Sequence, residues 1–262
     1  MFNSKNKNSK KSNGWGLVAA FLFFRFFIVE HFAVPSSSMT PTLLTGDIIL
    51  IKKFEYGISR QSLPFGGYLP FWKKGIRLGQ PKYGDVVVFT IPRDPSTYYV
   101  KRVIGLPGDK VKMRNGDLYI NGTLCSVKFD SKFTFKADNG NWETGDKWFR
   151  TFPAPTDKTY EYFRDKEIGE GHIDNTLEFK VPKDMVWVEG DYNTGSDASF
   201  NTHFMGPVPI ENISGKVFFV LYGTNSRLPI ENNWFTWVVQ LPWRIFVALK
   251  ETNFNRVFKP VK

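Results

Sequence analysis

Hydrophobic and polar positions alternate along this chain in three different ways, and each predicts a different element. First comes a nearly continuous apolar run, Trp15 to Val34 (WGLVAAFLFFRFFIVEHFAV). Roughly 20 residues at about 1.5 Å each cover about 30 Å, the thickness of a bilayer's hydrocarbon core, so the run predicts a membrane-spanning helix over 15–34. Arg25, Glu30 and His31 interrupt it. An Arg at a helix centre costs about 2.5–3.5 kcal/mol on insertion scales. About ten Phe, Leu, Val and Ile residues at about −0.3 to −0.6 kcal/mol each offset it. Glu30 and His31 are expected at the interface, with Pro35 ending the helix. A cleaved leader is the rival reading, but a cut after Ala33 would put His31 where a small residue is required. The run has no polar face, which argues against an amphipathic helix of a soluble core.

Beyond Pro35 the pattern changes to short β-branched runs. Asp47-Ile-Ile-Leu-Ile-Lys52, Asp85-Val-Val-Val-Phe-Thr90, Tyr98-Tyr-Val-Lys-Arg-Val-Ile104, Met185-Val-Trp-Val188 and Lys216-Val-Phe-Phe-Val-Leu-Tyr222 read as strands, most of them bounded by Gly or Pro. Asn115-Gly116 and Asn121-Gly122 flank Asp117-Leu-Tyr-Ile120 and predict tight hairpin turns. The third pattern is irregular. Residues 57–82, rich in Gly, Pro, Lys and Arg, read as a long loop. Residues 123–181 are polar with interspersed aromatics and suggest an insertion with a ribbon of its own. The organisation expected is a basic tail (1–14), the anchor (15–34), a mainly β domain built from 35–114 and 182–262, and an inserted β-ribbon subdomain (115–181). Trp234, Trp237 and Trp243 load the C-terminal stretch with aromatics that suit either a membrane interface or the domain's own core.

Composition adds limits. Of 262 residues, 42% are hydrophobic and 23% charged, the range of an ordinary globular chain rather than a disordered one. A single cysteine, Cys125, excludes intrachain disulfides and CxxC sites. The net charge is +10, of which +4 comes from Lys5, Lys7, Lys10 and Lys11 ahead of the apolar run. Those lysines predict a cytoplasmic N-terminus with the C-terminal bulk outside. The remaining +6 accompanies no base-reading motif, so no nucleic-acid partner is expected. There is no GxSxG elbow, P-loop, HExxH or GxGxxG. His31 sits at the edge of the apolar run, and His172 and His203, both in polar stretches, read as solvated rather than catalytic.

Two segments carry chemistry. Pro35-Ser-Ser-Ser-Met-Thr-Pro-Thr-Leu43 follows the apolar run and precedes Gly46-Asp47 and a strand. It reads as a polar loop whose Met39 and Leu43 fold against a core or a bilayer. The other is Lys101, which strand alternation puts on one face with Tyr99 and Val103, while Arg102 shares the other with Val100 and Ile104. At least one of the two cations must lie against apolar surface. Burial disfavours the ammonium, and a neutral lysine amine can take a proton from a serine hydroxyl. Lys101 snorkelling from an edge strand is the other reading these residues allow.

Taken together, the segments resemble the bacterial type I signal peptidases, serine proteases with a Ser/Lys dyad. Pro35–Leu43 is similar to the family's nucleophile box, in which the serine before Met attacks; here that is Ser38, followed by Met39. Gly84-Asp-Val-Val-Val-Phe89 resembles the next box, and Tyr99-Val-Lys-Arg-Val-Ile-Gly-Leu-Pro-Gly-Asp109 the box holding the base lysine, here Lys101, with Arg102 beside it. The last box departs. The family's Gly-Asp-Asn-x-x-x-Ser-x-Asp-Ser-Arg is here Gly190-Asp-Tyr-Asn-Thr-Gly-Ser-Asp-Ala-Ser-Phe200, keeping Gly190, Asp191 and Ser196 but placing Ala198 and Phe200 at the usual Asp and Arg. Asp197 is a substitute for the lost carboxylate, and Ser199 a rival to Ser196.

The resemblance implies an antiparallel β domain with an inserted ribbon behind one transmembrane helix. It implies that Lys101, oriented by Ser196, activates Ser38, with the Ser38 N–H and the Ser36 hydroxyl holding the oxyanion. It also implies a monomer in the bacterial inner membrane, its catalytic domain on the periplasmic side against phospholipid, cleaving signal peptides from pre-proteins bound as extended strands. No cofactor or metal is implied. A membrane-tethered module that has kept the fold and lost the activity is the alternative. The self-cleaving repressors share a Ser-Met motif and a lysine base, but would need a DNA-binding region where this chain has its apolar run.

Overall fold

A computed structural model describes residue 16 and residues 28–58, 76–164, 174–192, 199–202, 205–223 and 254–261. Strands β1 (Val29–Ala33) and β2 (Ile48–Lys52) come first, then the short β3 (Gly57–Ile58) and β4 (Ile76–Arg77). The long hairpin β5 (Val86–Ile91) and β6 (Asp94–Gly105) leads to β7 (Lys110–Arg114), β8 (Asp117–Ile120) and β9 (Thr123–Leu124). Next are β10 (Ser126–Lys136), β11 (Trp142–Thr151) and β12 (Thr159–Arg164). Last come β13 (Phe179–Lys180), β14 (Met185–Glu189), β15 (Val208–Pro209), β16 (Ile213–Tyr222) and β17 (Lys259–Pro260). The fold is mainly β.

The largest sheet has eight strands in the order β1-β2-β16-β5-β6-β14-β15, with β17 on β16. Its centre is β5, every residue of which is buried. The period of two is visible in its packing: Val87, Phe89 and Ile91 join one apolar cluster with Val103 and Val188, while Val86 and Val88 join another with Met39, Leu43 and Ile51. A four-stranded sheet, β13-β7-β8-β9, carries the two Asn-Gly turns. Asn115 and Gly116 have φ of 50° and 73°, and Asn121 and Gly122 of 52° and 80°. Both central residues of each turn are left-handed, the twist a two-residue hairpin needs. Gly105 is required for another reason: a Cβ there would stand 2.7 Å from Val111 Cγ2 and 2.9 Å from Trp187 Cβ.

Ser126–Arg164 forms a separate three-stranded ribbon, β10-β11-β12. Its tip is the turn between Lys136 and Trp142, closed by Ala137 N–H to Asn141 O at 2.8 Å and Gly140 N–H to Ala137 O at 2.9 Å. Phe135, Ala137 and Phe163 form an apolar cluster on it that takes in Leu44 and Tyr192 from outside the ribbon. Of the long loop at 57–82, the two ends pair as β3 and β4, and 59–75 lies outside the described residues.

One expectation is corrected. The membrane-spanning helix read over 15–34 cannot extend to Val34, because Val29–Ala33 is the edge strand β1, paired antiparallel with β2 from Val29↔Lys52 to Ala33↔Ile48. One side of its backbone is paired in that ladder, and Glu30 pairs with Lys53 at 3.0 Å. Of the run expected to form the anchor, Trp15–Ile28 is the part that β1 does not take up. Residues 17–27 lie outside the described residues, and among those described no helix is long and apolar enough to cross a membrane. Trp234–Val247, His172, His203, Ser196, Asp197 and Ala198 also lie outside them.

Candidate active site

The serine loop is built around two buried plugs. Met39 and Leu43 are fully buried among Val34, Ile49, Ile51 and Val86, which fastens the loop between β1 and β2 onto the large sheet. Leading into Met39 the backbone makes one turn of 3-10 helix over Ser37–Met39, with Thr40 N–H donating to Ser37 O at 2.9 Å. Ser36, still extended at φ −137°, precedes that turn. Ser36 and Ser38 are half-buried, and their hydroxyl oxygens stand 3.3 Å apart.

Lys101 comes to the same place from β6, paired with Val87 of β5 and only 4% exposed. Ser36, Ser37, Ser38 and Lys101 line one cavity of about 490 Å³, together with Phe32, Ala33, Ile49, Val88, Thr97–Val100, Asp138 and Tyr192. β14 pairs with β6 from Arg102 onward, so the cavity-lining stretch Thr97–Lys101 lies beyond that register.

Arg102, on the opposite face, is 1% exposed and faces Asp191, also 1% exposed. The pair is bidentate, Nε to Oδ1 and Nη2 to Oδ2 at 2.7 Å each. Nη1 donates to Gly84 O at 2.8 Å and Nη2 also to Thr42 Oγ1 at 3.1 Å, while Thr42 Oγ1 donates to Asp191 Oδ2. Burial alone would lower the Arg102 guanidinium, but the Asp191 carboxylate outweighs it and raises the group above its ordinary value. One ion pair thus joins the strand of Lys101, the Gly84 turn, the serine loop and Gly190-Asp191. Both cations of the Lys-Arg dipeptide are buried.

Alongside it Arg150 of β11 meets Glu189 at 2.9 Å, both buried, and its guanidinium lies 4.2 Å from the Tyr162 ring centroid. Burial raises the Glu189 carboxyl, with Arg150 opposing. Cys125 is buried and its thiol is pushed up to about 12, chiefly by desolvation, so it stays protonated near neutral pH. No group of His, Cys, Asp or Glu that could hold a metal occurs among the described residues.

Sequence reasoning missed Tyr192 and Asp138. Tyr192 N–H donates to Ser38 O at 3.2 Å, and its hydroxyl to Glu143 at 2.9 Å. Asp138 accepts the Ser37 N–H, at 3.0 Å on Oδ1 and 3.2 Å on Oδ2, and the Thr45 hydroxyl at 2.7 Å. Tyr192 was visible as the residue replacing Asn in the last box. Asp138-Asn-Gly-Asn141 reads only as a turn, and nothing local says what it faces. In the altered half of that box, Ser199 is buried and exchanges bonds with Val188: its N–H donates to Val188 O, and Val188 N–H donates to its Oγ, each at 3.0 Å. Phe200 stacks edge-on to Trp187 at 5.5 Å and to Phe179 at 6.4 Å.

Residues 10–222 match the family model described as "Signal peptidase, peptidase S26". The chain belongs to the signal peptidase family. Curated relatives named signal peptidase I agree over most of its length. One from Rickettsia massiliae is 32% identical over 97% of this chain and 94% of its own, and one from Pseudomonas aeruginosa is 34% identical over 76% and 66%. These matches make the chain a serine peptidase of the signal peptidase I type. A crystal structure of a signal peptidase I from Enterococcus faecalis overlays with a TM-score of 0.30 at 23% identity, covering 53% of this chain and 97% of that one, an overlay too loose to carry an argument.

Proposed function

We propose that this signal peptidase removes signal peptides from pre-proteins through a Ser38/Lys101 dyad while tethered to the bacterial inner membrane. The observation that carries the proposal is that Ser36, Ser38 and Lys101, from two distant segments, line one cavity. Lys101 is only 4% exposed, and in this reading its neutral amine accepts the Ser38 proton. Ser38 Oγ then attacks the carbonyl after the signal peptide's last residue. The oxyanion is held by the Ser38 N–H and the Ser36 hydroxyl, a placement consistent with the short distance between the two serines. The Lys101 ammonium returns its proton to the leaving amine as the C–N bond breaks. Water, deprotonated by Lys101, hydrolyses the ester and releases Ser38.

Ser196 is the residue proposed to orient Lys101, since the Ser199 side chain is engaged by the Val188 backbone. The substrate is an extended chain added alongside Thr97–Lys101, with its small side chains in the apolar recesses of Phe32, Ile49 and Val88. The basic tail and Trp15–Ile28 tether the enzyme with its N-terminus cytoplasmic and its catalytic domain on the periplasmic side, monomeric and against phospholipid. Protease protection in intact cells and spheroplasts tests that orientation. The inactive-module reading is not favoured, because both dyad residues are intact.

Cleavage of a model pre-protein in detergent by wild type, Ser38→Ala and Lys101→Ala, read by mass spectrometry, tests the chemistry. A single cut after a small residue, lost in both variants, is expected. A wild type that leaves several pre-proteins intact would restore the binding-module alternative, and equal cutting by either variant would remove the dyad.

A further inference from the structure

Among the described residues, the β10-β11-β12 ribbon meets the serine loop through Asp138, next to the proposed nucleophile. Three consecutive peptide planes run through Ser36, Ser37, Ser38 and Met39, and each has one fixed atom. The Ser36–Ser37 plane is held by its N–H on the Asp138 carboxylate. The Ser37–Ser38 plane is held by its carbonyl on Thr40 N–H, and the Ser38–Met39 plane by its carbonyl on Tyr192 N–H. Thr40 is internal to the turn and Tyr192 comes from the last box. Only the first plane is held by the ribbon.

The contact is built rather than incidental. The ribbon tip is a closed turn, with Asn141 N–H also capped by the Asn139 side chain at 2.9 Å. Ala137, immediately before Asp138, is buried in the cluster that includes Leu44 of the serine loop. Asp138 also takes the Thr45 hydroxyl, so it grips the loop on both sides of Met39. The two oxyanion donors proposed above, the Ser36 hydroxyl and the Ser38 N–H, sit on either side of the plane that Asp138 fixes.

We infer that Asp138 is a positioning residue for the oxyanion site: by accepting the Ser37 N–H it sets the torsions that point Ser36 Oγ and Ser38 N–H at a common oxygen. This rests on the Ser38/Lys101 reading and adds to it a function for the inserted ribbon. The bonds of Asp138 to the Ser37 N–H and the Thr45 hydroxyl involve no reacting atom. What it supplies is an acceptor, so an amide oxygen in its place should serve and a methyl should not. A displacement of about 1 Å at a reacting geometry costs about 100-fold in rate, so losing the anchor should cost about 10- to 100-fold.

The test uses the full chain in detergent with Asp138→Asn, Asp138→Ala and Thr45→Val, measured for kcat, KM, thermal unfolding and inhibition by a peptide aldehyde ending in alanine. Ser38 Oγ adds to the aldehyde carbon, its proton passing to Lys101 and the carbonyl oxygen taking up the negative charge, so aldehyde affinity reports the oxyanion site. The corresponding peptide alcohol reports ground-state binding alone. Asp138→Ala should lower kcat and aldehyde affinity by the same 10- to 100-fold factor, about that of a misplaced group. KM and alcohol affinity should stay within about two-fold, and Asp138→Asn should recover most of the loss. Thr45→Val, which leaves the Ser37 bond in place, should change little. A folded Asp138→Ala with unchanged kcat and aldehyde affinity would overturn the inference, as would Asp138→Asn as impaired as Asp138→Ala. If wild type is inactive, or Ser38→Ala still cleaves, the underlying Ser38/Lys101 reading has failed instead, and those two controls tell the cases apart.

Discussion

The two ends of the last signal-peptidase box are held to the same sheet by opposite kinds of chemistry. At Gly190-Asp191 the anchor is ionic: a buried, bidentate Arg102–Asp191 pair, with Thr42 and Gly84 taking further guanidinium bonds. At Ser199-Phe200, where the family pattern has an Arg, the anchor is apolar: Phe200 packs edge-on to Trp187 and Phe179. The difference shows what each end must do. Asp191 lies where β6, the serine loop and the Gly84 turn converge, and a bidentate charge pair sets direction as well as distance. Phe200 lies away from the cavity, on the side of the sheet where the Ile104 and Trp187 cluster packs, and needs only to fill space. An ion pair there can be exchanged for packed rings without an unpaired charge being left behind.

The sharpest way to break this comparison is Asp191→Ala. It strands a buried guanidinium, and losing one partner of such a pair costs about 3–5 kcal/mol. Denaturant unfolding should show that loss, and the variant's kcat should fall by about ten-fold or more where it is still folded, since Lys101 adjoins Arg102 on β6. Phe200→Ala should cost about 3 kcal/mol through the cavity it opens, visible as a lower melting temperature. Its kcat, measured well below that temperature, should stay within about three-fold of wild type if space-filling is its whole task. A kcat loss matching that of Asp191→Ala would erase the distinction. Ser199→Ala is the smallest change. It leaves the Val188 N–H without its side-chain acceptor and should cost about 1–2 kcal/mol by thermal unfolding, with cleavage intact. If cleavage is lost instead, Ser199 rather than Ser196 orients Lys101.

Much of this architecture was legible in the sequence where the signal is local. The β-branched runs at 47–52, 85–90 and 185–188 are strands, and the Asn-Gly turns have the backbone their residues demand. Alternation around Lys101 and Arg102 put the two cations on opposite faces, and both are buried. The anchor's end was misread because Val29–Ala33 continues an apolar run without a break. Only its partner β2, a nonlocal contact, makes it a strand. Asp138 and Arg150 were invisible for the same reason. Each sits in a polar stretch that reads as surface, and each meets its partner only when the ribbon folds back, Asp138 on Ser37 and Arg150 on Glu189. Phe200 stood out as a departure from a polar pattern, but the rings that receive it come from β13 and β14.

The most direct test of the account is to trap the acyl-enzyme. The full chain is mixed with an activated ester of a peptide ending in alanine, quenched in acid and mapped by mass spectrometry. The account predicts a single acyl adduct on Ser38 in wild type and none on any serine in Lys101→Ala. An adduct on a different residue, or one forming as fast in Lys101→Ala as in wild type, would contradict it.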